Sequence, residues 1–395
     1  MKPLSATGFA VLGAGLIAVA YGLARFAFGL FVPPIREALG LSPDVVGIVG
    51  SMAFVSFALT SLIAAGVADH LGARRAAMLA SVFGVSGLGL ISQSTDAVTL
   101  GAGVFACGIC TALMMPAMSA GADAAVHPRL HGRVTAVMNA GTSAGVAVSV
   151  PVVFLLADAW RAAYVSFAIL AAVGLAAAWR YVPAASSAHG DDPPVKPPIT
   201  PAQRGALIRL VAFGFGMGMV SAAYWVFAPD LAVAQGGMAS GQTGLLWLTV
   251  GLVGLGGGLA GDMIDRHGAA VTQGAALVML AGGLALLAAA PTNLVLALVS
   301  AGLFGLAYMT LTGVYLVTGI RLLPSRPSLG PVLPFLSIAV GQAVGSPLVG
   351  LAVAKFGYIA AFLAFAGLGL LVAAGSRLFP GRAPATAAVT PDPAA

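Results

Sequence analysis

Charge is what this sequence has least of. Only 8% of its 395 residues are Asp, Glu, Lys or Arg, where soluble domains carry about 25%. Hydrophobic residues fill 59% of the chain and the mean hydropathy is +1.02, which excludes a water-soluble globular domain. Cysteine is scarce as well. Cys107 and Cys110 lie three apart in an apolar stretch with no nearby histidine, so neither a disulfide framework nor a metal site is expected, and both read as small buried residues. No serine, cysteine or metal constellation has catalytic spacing, and Gly254-Leu-Gly-Gly-Gly258 lacks the strand and lysine of a phosphate loop. An enzyme is therefore not expected, nor a cofactor or bound metal. The twelve acidic residues fall at the ends of apolar runs, in loops or in the tail, and the five histidines lie on one side. With no Asp, Glu, His or Lys near the middle of a run, a side-chain proton carrier is missing there. That disfavours proton-driven antiport of cationic drugs and leaves uniport, anion exchange and symport of a protonated solute open.

What the chain does have is apolar length. About twelve runs can each supply the roughly 20 residues a bilayer-spanning helix needs: 8–33, 45–67, 76–94, 98–122, 133–156, 161–182, 205–230, 242–262, 271–290, 293–318, 330–353 and 358–378. Ten-residue alternating segments of a membrane β-barrel are not seen. Residues 1–20 resemble a signal peptide, but the apolar run continues to Pro34 and the basic loops alternate only if it is kept as the first span. Of the 18 Lys and Arg residues, all but Arg25, Arg36, Arg161 and Lys355 then fall on one side. The positive-inside rule makes that side cytoplasmic, with both termini there. Basic residues so placed are topology signals, and nucleic acid is not an expected partner. The expected partners are the lipid bilayer and a small-molecule substrate, for a monomer in the cell inner membrane.

Residues 183–204 form the one long polar, proline-rich connection and read as a cytoplasmic linker. It divides an N-terminal six-helix bundle, 1–182, from a C-terminal one, 205–379, and a Pro/Ala-rich tail, 380–395, is expected to be disordered. The halves repeat. Phe31 and Pro33 match Phe227 and Pro229, and Asp69 and Gly72 match Asp265 and Gly268, at a shift of 196. Gly141 and Gly145 match Gly341 and Gly345, and Trp160 and Tyr164 answer Tyr358 and Phe362, at nearly the same shift. An all-α polytopic membrane protein of twelve transmembrane helices in two pseudo-symmetric bundles follows, an arrangement suited to rocking around a central site.

The segment Ala65-Gly-Val-Ala-Asp69-His-Leu-Gly72-Ala-Arg74-Arg75 resembles the loop between spans 2 and 3 of the major facilitator superfamily, and Gly261-Asp-Met-Ile-Asp265-Arg266-His-Gly268 is its second-half echo. The likeness extends over residues 8–378 and implies the major facilitator fold and a permease working by alternating access. Ala65 and Ala73 replace the usual glycine and basic residue, shifting the loop's contacts onto Arg74 or Arg75. Val104 stands where proton-coupled members often carry arginine, and Gly141-Thr-Ser-Ala-Gly145 with Pro151 only partly matches the antiporter motif. Tyr21 to Pro34 looks like a bacterial branch labelled YbfB/YjiJ-type, which implies a permease without naming its solute.

Arg25 is the one charge set deep in a span, and it must face water, protein or solute. With Tyr21 four residues before it and Phe28 three after, a helical face is expected to hold all three. Either Arg25 is structural, bonded to carbonyls or snorkelling outward, or it binds an anionic group. The further candidates for solute contact are Asn139 with Ser143, Tyr224 and Trp225, Tyr308, Thr312 and Tyr315, and Gln342; each could equally bond between helices. Met114, Met115 and Met118 read as packing. Asp69, Gly72, Arg74, Arg75, Asp123 and Arg133, with Asp265, Arg266 and Gly268 in the second half, are candidates for a cytoplasmic gate of ion pairs, the alternative being solvated loop charges. The resemblance implies that Asp69 lies near the start of span 11, around Pro331. The expectation is a transporter of a small anionic organic solute. Efflux of drugs or sugars is the alternative, with a non-transporting sensor and a membrane enzyme further behind.

Overall fold

The computed structural model describes residues 4–156, 159–184, 198–324 and 329–380. Most of the expected linker and nearly all of the expected tail lie outside these residues, and the side chain of Pro331 is not described. Ten helices among them are long and apolar enough to cross a membrane. Two of the ten, Pro43–Gln93 with 51 residues and Val332–Leu378 with 47, run to about 70 Å or more at 1.5 Å per residue, over twice a bilayer core. Each is broken by a glycine with positive φ, Gly72 (φ 76°) and Gly357 (φ 81°). Divided there, the described residues give twelve helical segments, which fits twelve spans: α1 (Ala6–Leu30), α2 (43–71), α3 (73–93), α4 (Ala97–Ala125), α5 (His131–Leu156), α6 (Trp160–Tyr181), α7 (Pro201–Ala234), α8 (Gly241–His267), α9 (Ala269–Ala289), α10 (Leu294–Leu322), α11 (329–356) and α12 (358–374). A short helix, Val32–Leu39, extends α1.

Local chemistry sets several of these ends. The Ser5 hydroxyl accepts the Gly8 N–H at 3.1 Å and starts α1. Thr200 and Gln203 form a reciprocal capping box around Pro201, so α7 starts four residues before the apolar run does. Gly72 and Gly268 break their helices with nearly the same dihedrals, φ 76°, ψ 159° and φ 85°, ψ 152°. Only glycine adopts that region without strain, so the repeat extends to backbone conformation.

The halves also repeat in how their helices approach. In the first, Gly108 lies against the Ala53 carbonyl, and Gly141 and Gly145 lie against the carbonyls of Ala14 and Ala18. In the second, Gly305 meets the Val250 carbonyl, and Gly341 and Gly345 meet those of Phe215 and Met219. Thus α4 packs on α2 and α5 on α1, as α10 packs on α8 and α11 on α7. Inside a bilayer such contacts depend on small residues, because lipid gives no hydrophobic drive for helices to associate. Gly145→Leu should therefore lower the Tm of the purified protein by several degrees, an overpacking cost of about 1–3 kcal/mol. Gly15→Leu, on an exposed surface with open space around it, should leave Tm unchanged; equal shifts in the two would discount the close approach.

The two halves meet across a seam formed by α1, α2 and α5 on one side and α7, α8 and α11 on the other. Gly29 of α1 abuts the backbone of Trp225 in α7. These two positions are equivalent at the shift of 196, so the pseudo-twofold axis passes between them. Gly47 packs on Ser346, whose hydroxyl donates to the Gly47 carbonyl at 2.8 Å, and Gly251 packs on Ser143 and Ala147.

Candidate functional site

The middle of α1 is not α-helical. Ala18–Phe26 winds as a π-helix, with Gly22 pressed onto the backbone of Gly145. Hydrogen bonds to the fifth residue place more than 3.6 residues in each turn and rotate every side chain beyond Ala18 relative to an ordinary helix. Arg25 is thereby turned into the seam.

There its side chain is 8% exposed, and its Nη2 donates to Gln342 Oε1 of the opposite half at 2.9 Å. The guanidinium carbon lies 4.2 Å from the ring centre of Phe57 and 5.2 Å from those of Phe26 and Phe54. Such cation–π contacts contribute roughly 0.5–2 kcal/mol each, more as water is excluded. Nε is buried without a hydrogen-bond partner. Among the described residues the ion pairs are Arg36–Asp230, His131–Asp123 and Arg321–Asp265, so no carboxylate balances Arg25.

Gln342 is itself tied down. Its Nε2 donates to the Tyr308 hydroxyl at 3.3 Å and the Ser221 hydroxyl at 3.4 Å. The Phe26 ring stacks on Trp225 with centres 4.2 Å apart and meets Tyr308 edge-on at 6.2 Å. Trp247 of α8 donates its indole N–H to the Phe26 carbonyl at 3.1 Å. Tyr21, half-buried, meets Phe57 edge-on at 6.5 Å.

Arg25, Tyr21, Trp225, Tyr308 and Gln342 are thus brought together, and the other candidates are not, the Thr312 hydroxyl donating to the Met309 carbonyl of its own helix. Phe28 is buried, but the rings that flank the guanidinium are Phe26, Phe54 and Phe57, in keeping with a π winding that shifts the face regular helix spacing assigns. Tyr224 stacks on Phe304 at 4.0 Å, and its hydroxyl is engaged with Ser300 inside the second bundle. Tyr315 donates to the Phe213 carbonyl at 3.2 Å and packs on Phe379. Asn139 is exposed, one turn from the buried Ser143.

A second cluster was not singled out from the sequence. At the arginine-poor end of the seam, Arg36 pairs with Asp230 at 2.8 Å, the side chains being 29% and 4% exposed. Tyr358 donates its hydroxyl to Asp230, and Arg36 also donates to Tyr358. Partial burial pulls the Arg36 guanidinium down, but the Asp230 charge and Tyr358 outweigh it and hold it above the ordinary arginine value. Residues from α7 and α12 here clasp the short helix after α1, linking the halves. The available signal was that Asp230 follows Pro229, a residue of the repeat, on a face with few other charges.

The charges of the arginine-rich face are mainly contacts within one half. Asp123 lies 3.3 Å from His131. The Arg74 Nε–H donates to the Val182 carbonyl at 2.8 Å, tying α3 to the end of α6. Arg74 and Arg75, with His70, Leu71 and Ala184, line a pocket of about 290 Å³. Asp265 pairs with Arg321 at 2.8 Å on the surface. Asp69, Arg133 and Arg266 are exposed, and Gly72 and Gly268 supply the breaks described above.

Two pseudo-symmetric helical bundles meeting around a buried, polar and aromatic centre define the class of multi-pass membrane transporters. The chain belongs to the Major Facilitator Superfamily, whose family profile matches residues 14–328. No curated protein matches it in sequence. Among solved structures it is similar to the nucleoside transporter NupG, with a TM-score of 0.74 and 15% identity over 94% of this chain and 98% of that one. It is similar to a POT family transporter in complex with 5-aminolevulinic acid, with a TM-score of 0.78 and 12% identity over 94% and 96%. A bacterial homolog of the human lysosomal transporter Spinster, in an inward-facing and occupied conformation, gives 0.76 and 14% over 96% and 97%. At these identities the likeness establishes the fold, and the family points to transport rather than enzymic chemistry.

Proposed function

We propose that the protein carries a small organic anion across the cell inner membrane by alternating access, as a monomer with its arginine-rich face and both termini in the cytoplasm. The observation that carries this is Arg25: a guanidinium between the halves, 8% exposed, and balanced by no carboxylate among the described residues. A buried charge is costly to maintain unless something compensates it. A solute bearing the missing negative charge completes the site.

The access state fits this reading. The periplasmic end is the one clasped by Arg36, Asp230 and Tyr358, while Asn139, on the cytoplasmic side of the buried Ser143, is exposed. An inward-facing conformation is the reading that the clasp at that end supports, and in it Asp69, Asp123, Arg74, Arg75 and Arg133 of the first half, with Asp265 and Arg266 of the second, are the charges we assign to drawing the cytoplasmic ends together in the alternate state. The likeness of Tyr21 to Pro34 supports a place in the YbfB/YjiJ-type branch.

Counterflow into proteoliposomes tests the charge preference. Saturable, protein-dependent movement is expected for carboxylates; movement of sugars or cationic dyes that carboxylates do not compete with would overturn the proposal. Bound solute should also raise Tm in proportion to the logarithm of its concentration above Kd.

A further inference from the structure

The chemistry lining Arg25 narrows the solute. We infer that it is a monovalent carboxylate on a flat, apolar body, an arene carboxylate, held edge-on by Arg25 among Phe26, Phe54 and Phe57. This rests on the anion reading above and goes further in fixing valence, shape and polarity.

Valence follows from charge balance. One guanidinium is the only formal charge among the residues that meet here, so one negative charge neutralises the site. A dicarboxylate or phosphate monoester would bring a second charge into surroundings with no cation for it, and an unpaired buried charge is strongly disfavoured.

Shape follows from the arginine. Its surroundings are rings, with centres 4.2–5.2 Å from the guanidinium carbon, and rings are attracted over the face of a planar cation. Hydrogen-bond donors lie in its plane, where a carboxylate engages two at once. In this structure one Nη2 donor is taken by the neutral Gln342 oxygen and Nε has no partner. A carboxylate can use Nε and replace the weaker amide contact, freeing the cross-half Arg25–Gln342 link as it binds.

Polarity follows from what is already spent. Gln342 donates to Tyr308 and Ser221, the Ser221 hydroxyl donates to the Gly218 carbonyl, and Trp247 donates to Phe26. The buried donors left without a partner in this lining are Arg25 Nε and the Trp225 indole N–H, two donors that suit the oxygens of one carboxylate and offer no acceptor to the hydroxyls of a sugar or hydroxy acid. The remaining lining is aromatic: Phe26 against Trp225, Tyr308 edge-on to both, and Phe57 against Tyr21. Such a lining favours a further ring, offset-stacked or edge-on.

Titration calorimetry of the purified full-length protein with benzoate, acetate and succinate at neutral pH is the test. Benzoate should bind at least ~10-fold more tightly than acetate or succinate, the equivalent of about 1.4 kcal/mol. Arg25→Gln should abolish benzoate binding, and Phe57→Leu should weaken benzoate several-fold more than it weakens acetate. If acetate or succinate matches benzoate and Arg25→Gln still removes binding, the arene class is wrong and the anion reading stands. If none of the three binds, or benzoate binds equally well to Arg25→Gln, both fall.

Discussion

Asp230→Ala should open the arginine-poor end of the seam. The Asp230 carboxylate is the shared acceptor of two donors, the Arg36 guanidinium and the Tyr358 hydroxyl, and it joins elements of both halves. Removing it leaves the 29%-exposed Arg36 facing Tyr358 alone. Loss of one member of a fully buried pair costs about 3–5 kcal/mol; because Arg36 is partly hydrated, about 1–3 kcal/mol is appropriate, a shift of roughly 5- to 150-fold between inward- and outward-facing populations. A cysteine at Ser346, buried on Gly47 beneath the clasp, reports the change. Its maleimide labelling from the side of the clasp should rise at least ~5-fold with Asp230→Ala. Arg36→Ala should act in the same direction, since it leaves a carboxylate 4% exposed with only a tyrosine to stabilise it. Cys107 and Cys110 are buried and stay silent. Unchanged labelling in both variants would show that the clasp contributes nothing to closure.

The sequence made the architecture legible because the bilayer imposes it: span length, the basic-loop bias and the repeated glycines are all properties of composition and spacing. Gly72 and Gly268 matched as letters, and they match again as dihedrals. Of the candidate site residues, Arg25, Tyr21, Trp225, Tyr308 and Gln342 come together, and Phe28, Tyr224, Tyr315 and Asn139 do not. Phe28 and Tyr224, equivalent at the shift of 196, are both buried, while the next equivalent pair, Gly29 and Trp225, meets at the axis. In α1 the π winding moves the face, and no proline in Ala18–Phe26 announces it; Gly22, which lies against Gly145, is the one irregular letter there. Asp230 was visible only as a residue at the end of a span. Its importance comes from Arg36 and Tyr358, which are distant in sequence and adjacent only once the bundles associate.

Arg25→Gln separates the two roles open to a deep arginine, because they predict different effects on stability. As the anion site, Arg25 is indispensable to transport yet a burden on the empty protein. Glutamine keeps a hydrogen-bonding side chain near Gln342 and removes the uncompensated charge, whose placement at this depth costs at least ~2.5–3.5 kcal/mol on insertion scales. Against that stand the lost contacts with Phe26, Phe54 and Phe57, about 0.5–2 kcal/mol each. The two sums, about 2.5–3.5 kcal/mol gained and about 1.5–6 kcal/mol lost, overlap, so Tm should change little, while carboxylate transport falls by ~100-fold or more, as expected when about 3 kcal/mol of charged hydrogen bonding to the solute is lost. Arg25→Lys should fall between: the charge and ring contacts persist, but an ammonium cannot make the planar two-point contact. As a structural strut, Arg25 would instead anchor Gln342 and the aromatic cluster, and Arg25→Gln would lower Tm sharply while Arg25→Lys restored it in step with activity. A stable, inactive Arg25→Gln protein therefore supports the anion site, and a destabilised one removes the observation on which an anionic solute rests.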